Sequence, residues 1–186
     1  MLTVRVLVVL ALQTLALVYM IGDRQHMLNA SRVVTLKVVP IDPHDLFRGD
    51  YVVLNYDISR VDVSVLAGED AFLNGDDAYV TVKPQNGGTW KAIAIGHKQV
   101  TPAPDEVAIK GIVQNADGPN VGGAPSWVSL NYGVESYFVP EGTGHAIEEE
   151  ARAGSLTIDV AVDEHGRAAI KALRRSGKVF YVEGVF

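Results

Sequence analysis

The sequence predicts an all-β domain, a partly open barrel or sandwich of short antiparallel strands, preceded by one N-terminal transmembrane helix. Three observations lead there. From Val6 to Ile21 the chain is apolar except for Gln13 and Thr14. About nine short runs of alternating or β-branched apolar residues follow, separated by Gly, Pro, Asn and Asp. Outside the apolar start, only His145 to Arg152 reads as a helix, and it is short.

The N-terminal segment comes first. With its flanks it gives about 20 residues, and a helix of that length spans roughly 30 Å of hydrocarbon. Arg5 and the α-amine form a small positive head before it. A cleavable signal needs small residues at an Ala-x-Ala-like site. None follows soon after Ile21, so an uncleaved anchor is favoured over a cleaved signal or a buried soluble helix. Arg24, Arg32 and Lys37 follow closely, so the count of positive charges does not by itself set the orientation. The chain divides into an anchor over 1–22, a polar stalk over 23–32 and a β-rich domain over 33–186.

Strand-like runs are expected near 33–40, 51–58, 78–84, 90–97, 107–113, 126–134, 156–163, 167–173 and 178–183. Val34, Leu36 and Val38 alternate with Thr35, Lys37 and Val39. After Asp50, Val52, Leu54, Tyr56 and Ile58 fall on one apolar face, with Tyr51, Val53, Asn55 and Asp57 opposite. These two runs form an antiparallel hairpin across the turn-rich Pro40–Asp50 loop. Gln85-Asn86-Gly87-Gly88 and Asp163-Glu164-His165-Gly166 read as further hairpin turns. Residues 60–75 read ambiguously, with a helical turn near Val63–Leu66. Asn115 to Pro125, with three Gly and two Pro, reads as a loop.

Composition bounds the function. The 186 residues fit one domain plus an appendage, with a net charge of −6. Every acid follows Gly22, and no basic run or basic-aromatic cluster occurs, which argues against nucleic acid as a partner. The chain has no Cys, excluding disulfides, thiolate catalysis and Cys-ligated zinc.

The most specific motif is Gly49-Asp50-Tyr51, Leu54 and Tyr56. It matches every fixed position of the GDYXXLXY pattern, and the chain resembles the bacterial family of that name. Tyr132-Gly133-Val134-Glu135-Ser136-Tyr137-Phe138-Val139-Pro140-Glu141-Gly142 is similar to a second family block. The resemblance implies a protein anchored in the inner membrane with a β-rich domain in the periplasm. It implies no reaction and no cofactor. Read from its residues, the motif is either a folding element, with Asp50 capping a turn and both tyrosines packed, or a binding surface formed by Asp50, Tyr51, Asn55 and Tyr56. Trp127 and the Gly/Pro loop before it are the second surface candidate.

There is also an internal echo: Leu54-Asn55-Tyr56-Asp57-Ile58-Ser59 resembles Leu130-Asn131-Tyr132-Gly133-Val134-Glu135-Ser136. Two related half-domains account for it, as does convergence on strand composition.

Catalytic signals are sparse. Asp42, His44 and Asp45 are ligand-type residues in one loop, but a metal site needs three or four converging ligands at suitable spacing. His145, Glu148 and Glu149 share a helix face, as solvated acidic helices commonly do. His97 ends a strand and His165 sits in a turn, neither with a partner evident in sequence. No Gly-x-Ser-x-Gly elbow or phosphate loop occurs. The order Ser31, Gly49–Leu54, Lys83 is similar to that of type I signal peptidases, in which a serine follows the anchor and a neutral lysine is the base. Ser31 lacks the Met-x-Pro context, and Lys83 alternates with the apolar Val80 and Val82. The sequence therefore leaves three classes open: a tethered binding or assembly module partnering an integral membrane protein, a membrane-bound hydrolase, and a structural envelope protein. The first is the expectation, and Gln13 and Thr14 are its candidates for bonding a neighbouring helix.

Overall fold

A computed structural model describes residues 2–29, 32–39, 51–117, 126–138 and 144–182. The chain begins with α1 (Leu2–Leu28), which is exposed along its apolar length and long enough to cross a bilayer. A soluble core helix would bury one face, and this one buries none before its last turn. Residues 23–28, in the polar segment after the apolar run, continue α1 rather than leaving it. Met27 and Leu28 are buried against Ala169.

Thirteen strands follow among the described residues: β1 (Arg32–Val39), β2 (Tyr51–Val53), β3 (Asn55–Tyr56), β4 (Arg60–Asp62), β5 (Ala67–Gly68), β6 (Asp77–Pro84), β7 (Trp90–Gly96), β8 (Val107–Asp117), β9 (Trp127–Asn131), β10 (Ser136–Phe138), β11 (Leu156–Val162), β12 (Ala168–Arg175) and β13 (Lys178–Val182). The helix α2 (Gly144–Arg152) lies between β10 and β11. The fold is predominantly β, with a curled, partly open sheet. One sheet has the order β13-β12-β11-β1-β3, another β4-β9-β8-β6-β7-β5, and β10 pairs with β2. Side chains from both large sheets, among them Val34, Ile158, Leu173, Val80, Ile109 and Val128, share one apolar core.

The expected alternation places the core correctly. Val34, Leu36 and Val38 are buried, as are Leu54, Tyr56 and Ile58. β1 and β3 pair antiparallel, Val38 opposite Tyr56 and Val39 opposite Asn55. The Gln85–Gly88 and Asp163–Gly166 turns close the β6–β7 and β11–β12 hairpins. Where the sequence suggests one strand over 51–58, the chain breaks at Leu54. The Leu54 N–H donates to the Glu135 carbonyl, β2 pairs with β10, and β3 pairs with β1. The ambiguous 60–75 stretch holds two short strands, β4 and β5. A turn between them is fixed by Asp62, whose carboxylate accepts the Ser64 N–H. The Pro40–Asp50 loop and residues 118–125 lie outside the described residues.

The two halves of the domain are topologically equivalent. The order β12-β11-β1-β3 in one sheet corresponds to β7-β6-β8-β9 in the other. The short pairings correspond too: Val53, Val52 and Tyr51 face Ser136, Tyr137 and Phe138 as Ser129, Val128 and Trp127 face Arg60, Val61 and Asp62. Both hairpins carry a register shift at the matching place, between Thr81 and Val82 in one and between Asp159 and Val160 in the other. Bulges are specific local features, so this agreement favours related half-domains over convergence of composition. The halves also exchange strands. β1 pairs with β11 of the second half, and β8 pairs with β6 of the first.

Candidate functional site: the motif at the junction of the halves

The motif strand and its echo meet where the halves join. The Tyr56 hydroxyl donates to the Val134 carbonyl. The Tyr132 hydroxyl donates to the Ile58 carbonyl at 2.7 Å. Each tyrosine thus caps the carbonyl two residues beyond its counterpart. The backbone repeats this reciprocity: Leu54 N–H to Glu135 O at 2.6 Å, and Leu130 N–H to Ser59 O at 2.8 Å. Each tyrosine N–H is held by the side chain three residues on, Ser59 Oγ at 3.0 Å and Glu135 Oε1 at 2.6 Å. Burial pushes both phenols well above their usual range, with Glu135 adding to the effect. They therefore stay protonated and remain donors. Gly111 lies under the Tyr132 ring, where a Cβ would stand 3.1 Å from two ring carbons.

The residues of the motif separate by role. Asp50 lies outside the described residues. Tyr51 contributes backbone to β2, opposite Phe138. Asn55 is half-buried in β3. Tyr56, one of the candidate binding residues, faces the core and is 1% exposed. Its place in the apolar alternation dictates this. Of the two sequence readings, Tyr56 follows the packed one. Asp57, just after it, has one buried carboxylate oxygen without a hydrogen-bond partner. Burial raises its pKa, against the lowering influence of Lys91 and Lys37.

The other candidates fall as follows. Trp127, the counterpart of Tyr51, is 40% exposed, with the Arg60 guanidinium 5.2 Å from its ring centre. That geometry suits a cation–π contact. Lys83 is half-exposed and lies 2.9 Å from Asp105 and 3.8 Å from Glu106. Its hydrogen bond to Asp105, above all, raises its pKa, the reverse of what a neutral lysine base requires. Ser31 lies outside the described residues, as do Asp42, His44 and Asp45. Glu149 is exposed, and the side chains of His145 and Glu148 are not among those described. Among the described residues no three His, Asp or Glu are placed to hold a metal ion.

Sequence reasoning missed one cluster. His97 lies between Glu69 and Asp76, and the Phe72 ring stacks on it. Glu69, Phe72 and Asp76 share the β5–β6 connection and His97 comes from the loop after β7, so no local spacing announces the cluster.

An exposed apolar helix joined to a β-rich domain, with no catalytic constellation among the described residues, defines a membrane-anchored protein with an extracytoplasmic β module. A family model narrows this. That of the GDYXXLXY protein family matches residues 13–173, and the chain belongs to that family. No curated protein and no solved structure matches the chain.

Proposed function

We propose that this protein is a non-enzymatic binding or assembly module of the bacterial envelope, held at the inner membrane with its domain in the periplasm, and that its partner is an integral membrane protein. One observation carries the reading: the anchor docks on the domain it carries. Met27 and Leu28 pack on Ala169, and Arg167 spans Asp23 of α1 at 3.1 Å and Asp163 of the hairpin at 2.7 Å. A domain fixed in this way presents a constant face toward neighbours in the bilayer. Asn55 with Tyr51, and Trp127 with Arg60, are the first places to look for contact. Thr14 already bonds its own helix, donating to the Leu10 carbonyl at 2.9 Å, which leaves Gln13 as the stronger candidate for an interhelical bond.

The test is in-membrane crosslinking followed by mass spectrometry. The expected outcome is one recurrent integral membrane neighbour, captured from positions flanking Gln13 and from Trp127, and lost in Gln13→Leu if the helix contributes. Capture of no recurrent membrane protein from either region overturns the proposal.

A further inference from the structure

Two loops meet at one end of the six-stranded sheet, the β5–β6 connection and the one after β7. Glu69 follows β5, Asp76 precedes β6, and His97 follows β7. The imidazole sits between the carboxylates, Nδ1 on Glu69 Oε2 and Nε2 3.3 Å from Asp76 Oδ2. The Phe72 ring covers it, with centroids 4.4 Å apart and planes at 17°, and is itself buried in the core. Because the carboxylates approach opposite nitrogens, they do not converge on a common ion. They do constrain the proton count. A neutral imidazole has one N–H and presents a lone pair to the second carboxylate, whereas an imidazolium donates to both.

The remaining charges nearby have settled positions. Lys98 favours the ionised form of Glu69. Asp77, beside Asp76, is engaged by Lys110 at 2.7 Å. Asp76 Oδ2 also accepts the Leu73 N–H at 2.9 Å, and Glu69 Oε2 accepts the His97 N–H at 3.2 Å. The segment between the two acids is therefore tied down at both ends through one ring.

The second half of the domain supplies an internal comparison. Ala94 and Ala172 match across the bulged hairpins, so His97 corresponds to Arg175. Arg175 is likewise held by a carboxylate from the segment before its hairpin, Glu150 of α2. A guanidinium stays charged at any physiological pH, and an imidazole does not. The same structural position thus carries a permanent cation in one half and a switchable one in the other.

We propose that Glu69, His97 and Asp76 form a proton-dependent clasp that pins the 69–76 segment, including the exposed Leu73, to the end of β7. The clasp is closed when His97 is charged and loosens when it is neutral. The hydrogen bond to Glu69 chiefly raises the His97 pKa, and the bond to His97 chiefly lowers that of Glu69. The histidine contribution is complete below its ordinary value of 6.5 and is lost as pH rises through the raised one. The glutamate contribution is complete above 4.5 and is lost as pH falls through the lowered value. The clasp is tightest between those two ordinary values and releases on the alkaline side.

The experiment uses the full chain in lipid nanodiscs. Hydrogen exchange of residues 69–76, corrected for intrinsic rates, is followed from pH 6 to pH 9, alongside ring titration of labelled histidines. Protection of the segment is expected to fall as pH rises from 6.5 through the raised His97 midpoint and to level off above it, since only the charged ring donates to both acids. His97→Arg is expected to keep the segment protected at both ends of the range, and His97→Gln to lose protection at both. The His97 midpoint is expected above 6.5 in the native chain and lower in Glu69→Gln/Asp76→Asn. Protection that does not vary with pH, a native-like fall in His97→Arg, or a midpoint unmoved by the double acid replacement overturns the proposal. The ring titration decides the matter if His97→Arg does not fold.

Discussion

Tyr56 and Tyr132 each spend a buried hydroxyl on a carbonyl of the other half. Replacing either by Phe leaves that carbonyl without its donor, which costs about 1–3 kcal/mol for a buried group. Tyr56→Phe and Tyr132→Phe are therefore each expected to lower the denaturation midpoint of the detergent-solubilised chain with unchanged secondary structure. Because both bonds clamp the same junction, the double variant should lose less than the two losses taken separately. Full additivity, measured by denaturant titration, counts against a shared clamp. The burial of Tyr56 was legible from strand alternation alone. Its reciprocity with Tyr132 was not, because residues distant in sequence become mutual partners only when the halves pack. His97 illustrates the same limit: its partners lie in another loop, the β5–β6 connection, that is distant in sequence.

At the scale of elements, the junction between α1 and the β11–β12 hairpin decides how the domain sits on its helix. The polar residues after Ile21 suggest a stalk over 23–32, since Asp23, Arg24 and Gln25 suit solvent. Helical continuation there follows from tertiary packing, as Met27 and Leu28 find cover on Ala169. The ion pair with Arg167 is partly exposed, so its own contribution is about 0–1 kcal/mol. The apolar contact is the stronger part. The absence of Cys makes this directly measurable. A Met27→Cys/Ala169→Cys pair in native membranes is expected to join efficiently through a short thiol crosslinker, and adding Arg167→Ala should reduce the yield only slightly. Failure of the first pair to join indicates a swivelling tether. Elsewhere, the long alternating strands could be read from sequence. The two- and three-residue strands β4, β5 and β10 could not, because segments so short carry no period and owe their form to their neighbours.

At the scale of the whole molecule, the strand exchange makes the two halves mutually dependent. β1 lacks its main partner without β11, and β8 lacks β6 if the first half is removed. The domain is therefore expected to unfold in a single cooperative step, with fluorescence of Trp90 in the first half and Trp127 in the second reporting coincident midpoints. Two separated transitions count against the exchange. The same arrangement orders events during biogenesis. β1 leaves the ribosome next to the anchor, while the strand that completes its edge is made only after β10 and α2. Until that strand arrives, the early strands hold an open, apolar rim. Sealing that rim requires a contact distant along the chain, and such closures are slow. The nascent domain thus has an interval in which it needs shielding, and a truncated chain would never leave it.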